Sequence, residues 1–382
     1  GSDSIDGGSG ADTLIAGLGA DTVRGGSGDD LVLLAASEAA EDSVNLYDGG
    51  NNSDTIRLIN SGDYDLSQDS IVNFEALEFN ASGNSVTLTG AQVDDFDTLQ
   101  GSASADAVVL SAAANVDFGG KAIGIESLIG STGSDSIVGT SGAEVIAAGR
   151  DLTGTNGDTL VGAGGNDTLI GAAGNDWIDA SAAGNVSVDA GAGNDTVVMG
   201  SQLNANDATL VGGDGTDYLV FADDSTAGDN LSKVSGFEYI SITGGVVETL
   251  TSANVLDAGA TIDASNADFL RLDLQQETSD GLYVIGSGAA DAVTLGGGDD
   301  TVSMGNGDDF VNATLVSDDS INLGEGDDTI VFGEALTSQD TVVGGSGTNV
   351  LTYTDNDTGV VNELDHVSSF SRINVVNGAG SD

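Results

Sequence analysis

Between Gly7 and Leu33 one nine-residue unit runs three times without a break, as GGSGADTLI, AGLGADTVR and GGSGDDLVL. So short a period leaves room for one turn and one strand per copy, which constrains this stretch to a stack of like rungs. Glycines at the first, second and fourth positions admit backbone conformations with positive φ that a Cβ obstructs. The Asp at position six points a carboxylate into the turn. The apolar residue at position eight, often flanked by Thr or Val, closes each unit with a short strand carrying one inward side chain.

Further copies extend the pattern in three clusters. Gly1-Ser2-Asp3-Ser4-Ile5 reads as the second half of an earlier unit, which sets the sixth-position Asp at Asp3, Asp12, Asp21 and Asp30. A degenerate copy from Gly49 to Arg57 surrounds Asp54. The second cluster opens with Asp135 and Glu144, runs strictly through Asp158, Asp167 and Asp176, and trails off with Asp195 and Asp217. The third carries Asp291, Asp300 and Asp309, then a longer step to Asp319, then Asp328. In the last unit, Gly344 to Thr352, Asn349 stands where the carboxylate belongs, so no strong site is expected there. A flexible low-complexity linker is the bland alternative, but a linker does not keep an apolar residue two places after nearly every such Asp.

Against 62 acidic residues stand 7 basic ones, for a formal charge of −55, yet 39% of the chain is hydrophobic. There is apolar material for a narrow, elongated core, and charge repulsion opposes forming it. A hard dication resolves that conflict, because calcium takes about six to eight oxygen ligands from carboxylates and backbone carbonyls. No nucleic-acid partner is expected, since neutralising phosphates requires Lys and Arg. The absence of cysteine excludes disulfides and thiolate metal sites, and the absence of proline suits long runs of ladder-paired strands. No apolar run is long enough to span a bilayer, so no membrane insertion is expected.

The segments between clusters carry a weaker echo. Ile71-Val72-Asn73-Phe74-Glu75-Ala76-Leu77 returns as Val234-Ser235-Gly236-Phe237-Glu238-Tyr239-Ile240, and in shorter form at Ile125-Glu126-Ser127-Leu128. Apolar residues alternate after the Glu, as a strand with one buried face requires. Ile178-Asp179-Ala180-Ser181 and Ile262-Asp263-Ala264-Ser265 form a second echo. The expected organisation is three segments, 1–129, 130–260 and 261–382, each a cluster with its spacer rungs, joined in one continuous solenoid. Both ends fall in mid-repeat, which suggests an excerpt from a longer protein, although Gly1-Ser2 also fits a cloning scar.

The unit GGxGxDxUx is identified as the calcium-binding nonapeptide of RTX proteins. Its clusters, alternating with Phe-Glu strands and Asp-Ala-Ser turns, resemble the RTX-type surface-layer and large cell-surface proteins of Gram-negative bacteria and cyanobacteria. The resemblance implies an all-β fold, a right-handed parallel β-roll or β-solenoid with calcium-binding GGxGxDxUx turns. It implies several Ca2+ ions, each held between turns stacked on one side, two repeats apart in sequence. Asp3 would share a site with Asp21, Asp12 with Asp30, Asp158 with Asp176, and Asp309 with Asp328. The implied ligands are all the sixth-position Asp residues named above; Glu144 and the step at Asp319 depart from the pattern and leave pairing there open. The resemblance also implies type I secretion, folding on external calcium, and an extracellular place on the cell surface.

No catalytic activity is expected. The one histidine, His366, has no partner motif, and neither HExxH nor GxSxG occurs. The pairs Asp299-Asp300, Asp308-Asp309 and Asp327-Asp328 sit inside the turns, where ligation is the better reading. Two functions remain. The first is a self-assembling structural constituent of a bacterial cell-surface layer or array, whose partners are copies of itself in a lattice or filament, with cell-surface polysaccharide as a further partner. The second is a calcium-dependent folding and secretion domain of a larger secreted enzyme, toxin or adhesin. Three blocks joined by spacers favour the first.

Overall fold

The computed structural model describes residues 1–39, 43–81, 83–102, 106–149, 154–182, 184–200, 209–222, 231–244, 250–251, 259–277, 281–355 and 363–377. Among them almost all regular structure is short parallel strand, and the fold is an all-β solenoid of the right-handed β-roll type. Two compact units divide the chain, Gly1–Gly193 and Asn194–Asp382.

In the first unit, strand Ser4–Ser9 pairs with Thr22–Ser27, which pairs with Leu46–Asn51, which pairs with Ser70–Val72. The opposite wall runs from Thr13–Leu14 through Leu31–Leu34, Thr55–Leu58, Ala76–Phe79 and Thr98–Gln100 to Ala122–Ile123. Strands join the stack at 18-residue steps where the nonapeptides are intact, and at steps of 21 to 24 residues beyond them. The extra residues give spacer rungs a third strand, as Asp63–Asp65 does before Ser70–Val72 and Ala76–Phe79. They also build the helix Gly90–Asp95, capped by the Thr89 hydroxyl on the Gln92 amide. The buried Gln92 side chain ties this helix to the wall by donating to the Leu66 and Asp69 carbonyls.

The apolar residue two places after the turn position, most often a carboxylate, makes the core. Val86, Val108, Leu128, Ile146, Leu169 and Val188 stand in register on successive strands, each fully buried. Opposite them run Val116, Ile137, Leu160 and Ile178. Burying one such side chain contributes about 1.5–3 kcal/mol, which adds to the backbone ladder between rungs. Residues on either side of the column point outward, and Trp177, at position seven of its repeat, is exposed.

The second unit repeats the plan. Val197, Leu219, Ile240, Ile262, Val284, Val302, Ile321 and Val342 form one buried column. Leu272, Val293, Val311, Ile330 and Leu351 form the facing one.

Candidate metal centre

Many of the strands follow directly on a carboxylate, and the carboxylates form ladders of their own. Asp3 donates its backbone N–H to Oδ1 of Asp21 at 2.7 Å, and Asp12 to Oδ1 of Asp30 at 2.8 Å. Asp158 reaches Asp176 at 2.8 Å, Asp291 reaches Asp309 at 2.8 Å, and Asp309 reaches Asp328 at 3.0 Å. The pairs Asp3/Asp21, Asp12/Asp30, Asp158/Asp176 and Asp309/Asp328 are therefore neighbours in adjacent turns. Asp300 reaches Asp319 at 3.0 Å and Asp195 reaches Asp217 at 2.8 Å, so these too are vertical neighbours. The ladders pass through places the nonapeptide pattern leaves open: Asp135 donates to Asp158, and Glu144 to Asp167 at 3.1 Å. The backbone carbonyl of each such Asp is also engaged, as where Asp12 accepts from Leu31 and Asp30 from Thr55.

One oxygen of many of these carboxylates is left over. Oδ2 of Asp12, Asp21, Asp30, Asp54, Asp167, Asp217, Asp300, Asp309 and Asp328 is buried with no hydrogen-bond partner. A bare buried carboxylate oxygen is costly unless a cation or a proton meets it. Burial accordingly pushes Asp300 and Asp309 up to about 7, and Asp167 and Asp319 up to about 6. Asp54, Asp217 and Asp328 are raised for the same first cause, with neighbouring carboxylates adding to it.

Asn349 shows what belongs in that space. Its Oδ1 accepts the Asp328 N–H at 2.9 Å, as an Asp would, while its Nδ2 donates to the carbonyls of Gly344 at 2.7 Å and Ser369 at 3.2 Å. In the Asp12 turn the nearest atoms at the corresponding place are oxygens and a carbon, with no N–H: a Cβ built on Gly7 would meet the Gly25 carbonyl at 2.7 Å, Asp12 Oδ2 at 2.9 Å and Asp12 Cβ at 3.1 Å. An amide can supply its own positive hydrogens there and a carboxylate cannot. Among the described residues no three His, Cys, Asp or Glu side chains converge as a metal cluster. The donor set is instead one or two carboxylates with backbone carbonyls, the hard oxygen set that calcium accepts.

Not every turn is left bare. Ser131 donates both its N–H, at 2.7 Å, and its hydroxyl, at 2.9 Å, to Asp135 Oδ2. Ser102 does the same to Asp106 at 2.6 and 2.7 Å. Ser287 donates to both oxygens of Asp291 at 2.7 Å, and Thr140 to both oxygens of Glu144. Two of the expected ligands, Asp135 and Asp291, thus stand in turns furnished with protein donors.

The ladders also use residues outside the sixth-position pattern. Asp54 donates to Oε2 of Glu75 at 2.7 Å, Asp106 to Glu126 at 2.9 Å, and Asp217 to Glu238 at 2.7 Å. The Glu of the Phe-Glu echo therefore takes the place of the Asp in the following turn. Its signal was the echo itself, whose Glu precedes the buried strand in each of these three copies. Asp69, Asp340 and Asn45 hold similar places with no glycines to announce them. His366 stays apart from the ladders, exposed, with its carbonyl accepting from Val342.

The family model described as RTX calcium-binding nonapeptide repeat (4 copies) matches residues 1–32, 123–151, 152–182, 182–202, 283–311 and 316–334. Less than half of the chain is covered, and the turns of Asp54 and Asp217 lie outside the matched segments. No curated protein matches the chain significantly. Among the described residues no helix is long and apolar enough to cross a membrane.

Proposed function

We propose that this chain, which carries RTX calcium-binding nonapeptide repeats, is a calcium-stabilised structural solenoid of an exported protein, a building element of a bacterial cell-surface layer or array. The observation that carries the calcium reading is the vertical series of buried carboxylates, in many of which one oxygen is tied to the turn before and the other is buried without a hydrogen-bond partner. A dication between stacked turns neutralises two charges and joins the turns of rungs already paired through the strand ladder. The structural reading is supported by recurrence of these ladders in both units, which multiplies one scaffold motif. The large acidic excess supports assembly through further calcium, since ions within the solenoid cancel only part of the charge of −55.

Circular dichroism with chelator and then millimolar calcium tests the first half: the β signal is expected to appear on calcium addition, and a spectrum indifferent to calcium would sink it. Light scattering tests the second half. Side-by-side association is expected at a calcium concentration above that needed for folding, reversed by chelator. A saturated, folded chain that stays monomeric at high concentration would move the reading to a folding and secretion domain of a larger protein.

A further inference from the structure

The two kinds of turn differ at one position, four residues before the carboxylate. Where Oδ2 is bare, that position holds Gly or Ala: Gly26 before Asp30, Gly50 before Asp54, Ala163 before Asp167, Gly305 before Asp309, Gly324 before Asp328. Their φ values are +109°, +104°, +63°, +101° and +99°, while Gly296 before the bare Asp300 keeps an ordinary φ. In four turns whose carboxylate is satisfied, the position holds Ser102, Ser131, Thr140 or Ser287, none of which has positive φ, while Asp340 is met instead by the Thr337 amide three residues before it. In those four the amide of that residue reaches the carboxylate, and the hydroxyl adds a second donor. In the open turns no side-chain donor stands at that position, and in all of those named but Gly296 the backbone there takes positive φ.

We propose that this position decides which turns take calcium: Gly or Ala leaves an open turn that binds an ion, and Ser or Thr makes a closed turn that binds none. The proposal rests on the calcium reading above. In a closed turn the negative charge is already met by two charge-assisted donors, which a calcium ion would have to displace. In an open turn nothing has to be displaced, and the alternative to the ion is a bare buried oxygen. Asp135 and Asp291 therefore belong to metal-free turns despite their sixth-position register, and Glu144 joins them. The open turns of Asp54 and Asp217, outside the family match, belong with the metal turns.

Counting bound calcium on the full chain by native mass spectrometry tests the division. Asp135→Asn and Asp291→Asn are expected to keep the wild-type count, while Asp167→Asn and Asp309→Asn each lose at least one ion. Ser131→Gly, in a turn that already has Gly130 and Gly133, is expected to gain one ion, and it serves even if the Asn variants fold poorly. An ion lost from Asp135→Asn or Asp291→Asn, a full count in Asp167→Asn and Asp309→Asn, or an unchanged count in Ser131→Gly overturns the proposal. A wild-type chain that takes up no calcium overturns the reading beneath it instead, so the two failures are told apart.

Discussion

The stretch from Asn84 to Val138 and the stretch from Asp300 to Asp328 have the same architecture and opposite electrostatics. Both stack short parallel strands over a buried aliphatic column, Val86, Val108 and Leu128 in one, Val302 and Ile321 in the other. In the first, Asp106 and Asp135 are met by Ser102 and Ser131, and Asn84 donates its amide to the Ala81 carbonyl at 2.7 Å. In the second, Asp300, Asp309 and Asp328 each present a bare oxygen, and Asp300 and Asp309 are pushed up to about 7 by burial. One β-roll scaffold can thus close its turns from within or leave them to an ion. Carboxylate register alone does not say which.

Calcium removal should separate the two regions most. On chelation, amides of residues 300–330 and 158–178 are expected to exchange at rates near those of an unfolded chain, because open turns then hold unneutralised buried charge. Amides of residues 84–138 should keep more protection. Hydrogen exchange read by mass spectrometry resolves the segments, and uniform loss across all of them would show that the spacers have no stability of their own.

Acid should act on these buried carboxylates in the opposite sense to chelation. The folded-state values of Asp300, Asp309, Asp167 and Asp319 lie above the ordinary carboxylate value of 3.8, so the metal-free fold binds more protons than the unfolded chain between about pH 4 and 7. Their favourable contribution is fully present below about pH 4 and is lost as pH rises through 6 to 7. The chelated chain is therefore expected to gain β structure on going from pH 8 to pH 5, followed by circular dichroism at low protein concentration. With calcium present the trend reverses, since protons compete for the same oxygens. A chelated chain whose order falls with acid would show that the carboxylates are held by something other than burial.

Single ligands come next. Asp309→Asn at saturating calcium is expected to cost about 3 kcal/mol, the linkage value of an ion present at on the order of a hundred times its dissociation constant. Asp65→Asn is the matched control, because Asp65 is exposed and only caps its own turn through the Ser67 amide and hydroxyl. Its thermal midpoint should stay within about 1 °C of wild type. Equal losses in the two variants would mean that the ladder position carries no special weight.

Much of this was legible in the sequence. The nonapeptide register gave the turn, the strand and the inward side chain, and Leu169 and Ile178 stand where position eight puts them. Less legible was whether a carboxylate is satisfied. Ser131 and Gly26 differ by one hydroxymethyl group, and only the folded turn shows that this group and its amide reach Oδ2. Glu75, Glu126 and Glu238 were visible as members of an echo. Their service to an Asp one turn earlier depends on a 20- or 21-residue step that no local period announces. The longer Glu side chain spans that changed geometry, which a search for Asp passes over.

The smallest expected effect tests the turn backbone itself. Ala163 sits at φ +63°, where the equivalent positions of other open turns hold glycine, as at Gly8 with φ +93° and Gly26 with φ +109°. An L-residue there carries about 1–2 kcal/mol of contact between its Cβ and the following carbonyl. Glycine removes that strain but loses up to about 1 kcal/mol through the greater freedom of the unfolded chain. Ala163→Gly is therefore expected to stabilise the calcium-loaded chain by about 0.5–1 kcal/mol, a rise of about 2 °C in thermal midpoint, with the calcium count unchanged. A fall in midpoint would mean that the Ala163 methyl packs against its stacked neighbours by more than its strain. The second cluster would then be held by apolar contacts even inside its open turns, and its contrast with the hydroxyl-closed rungs would be one of degree.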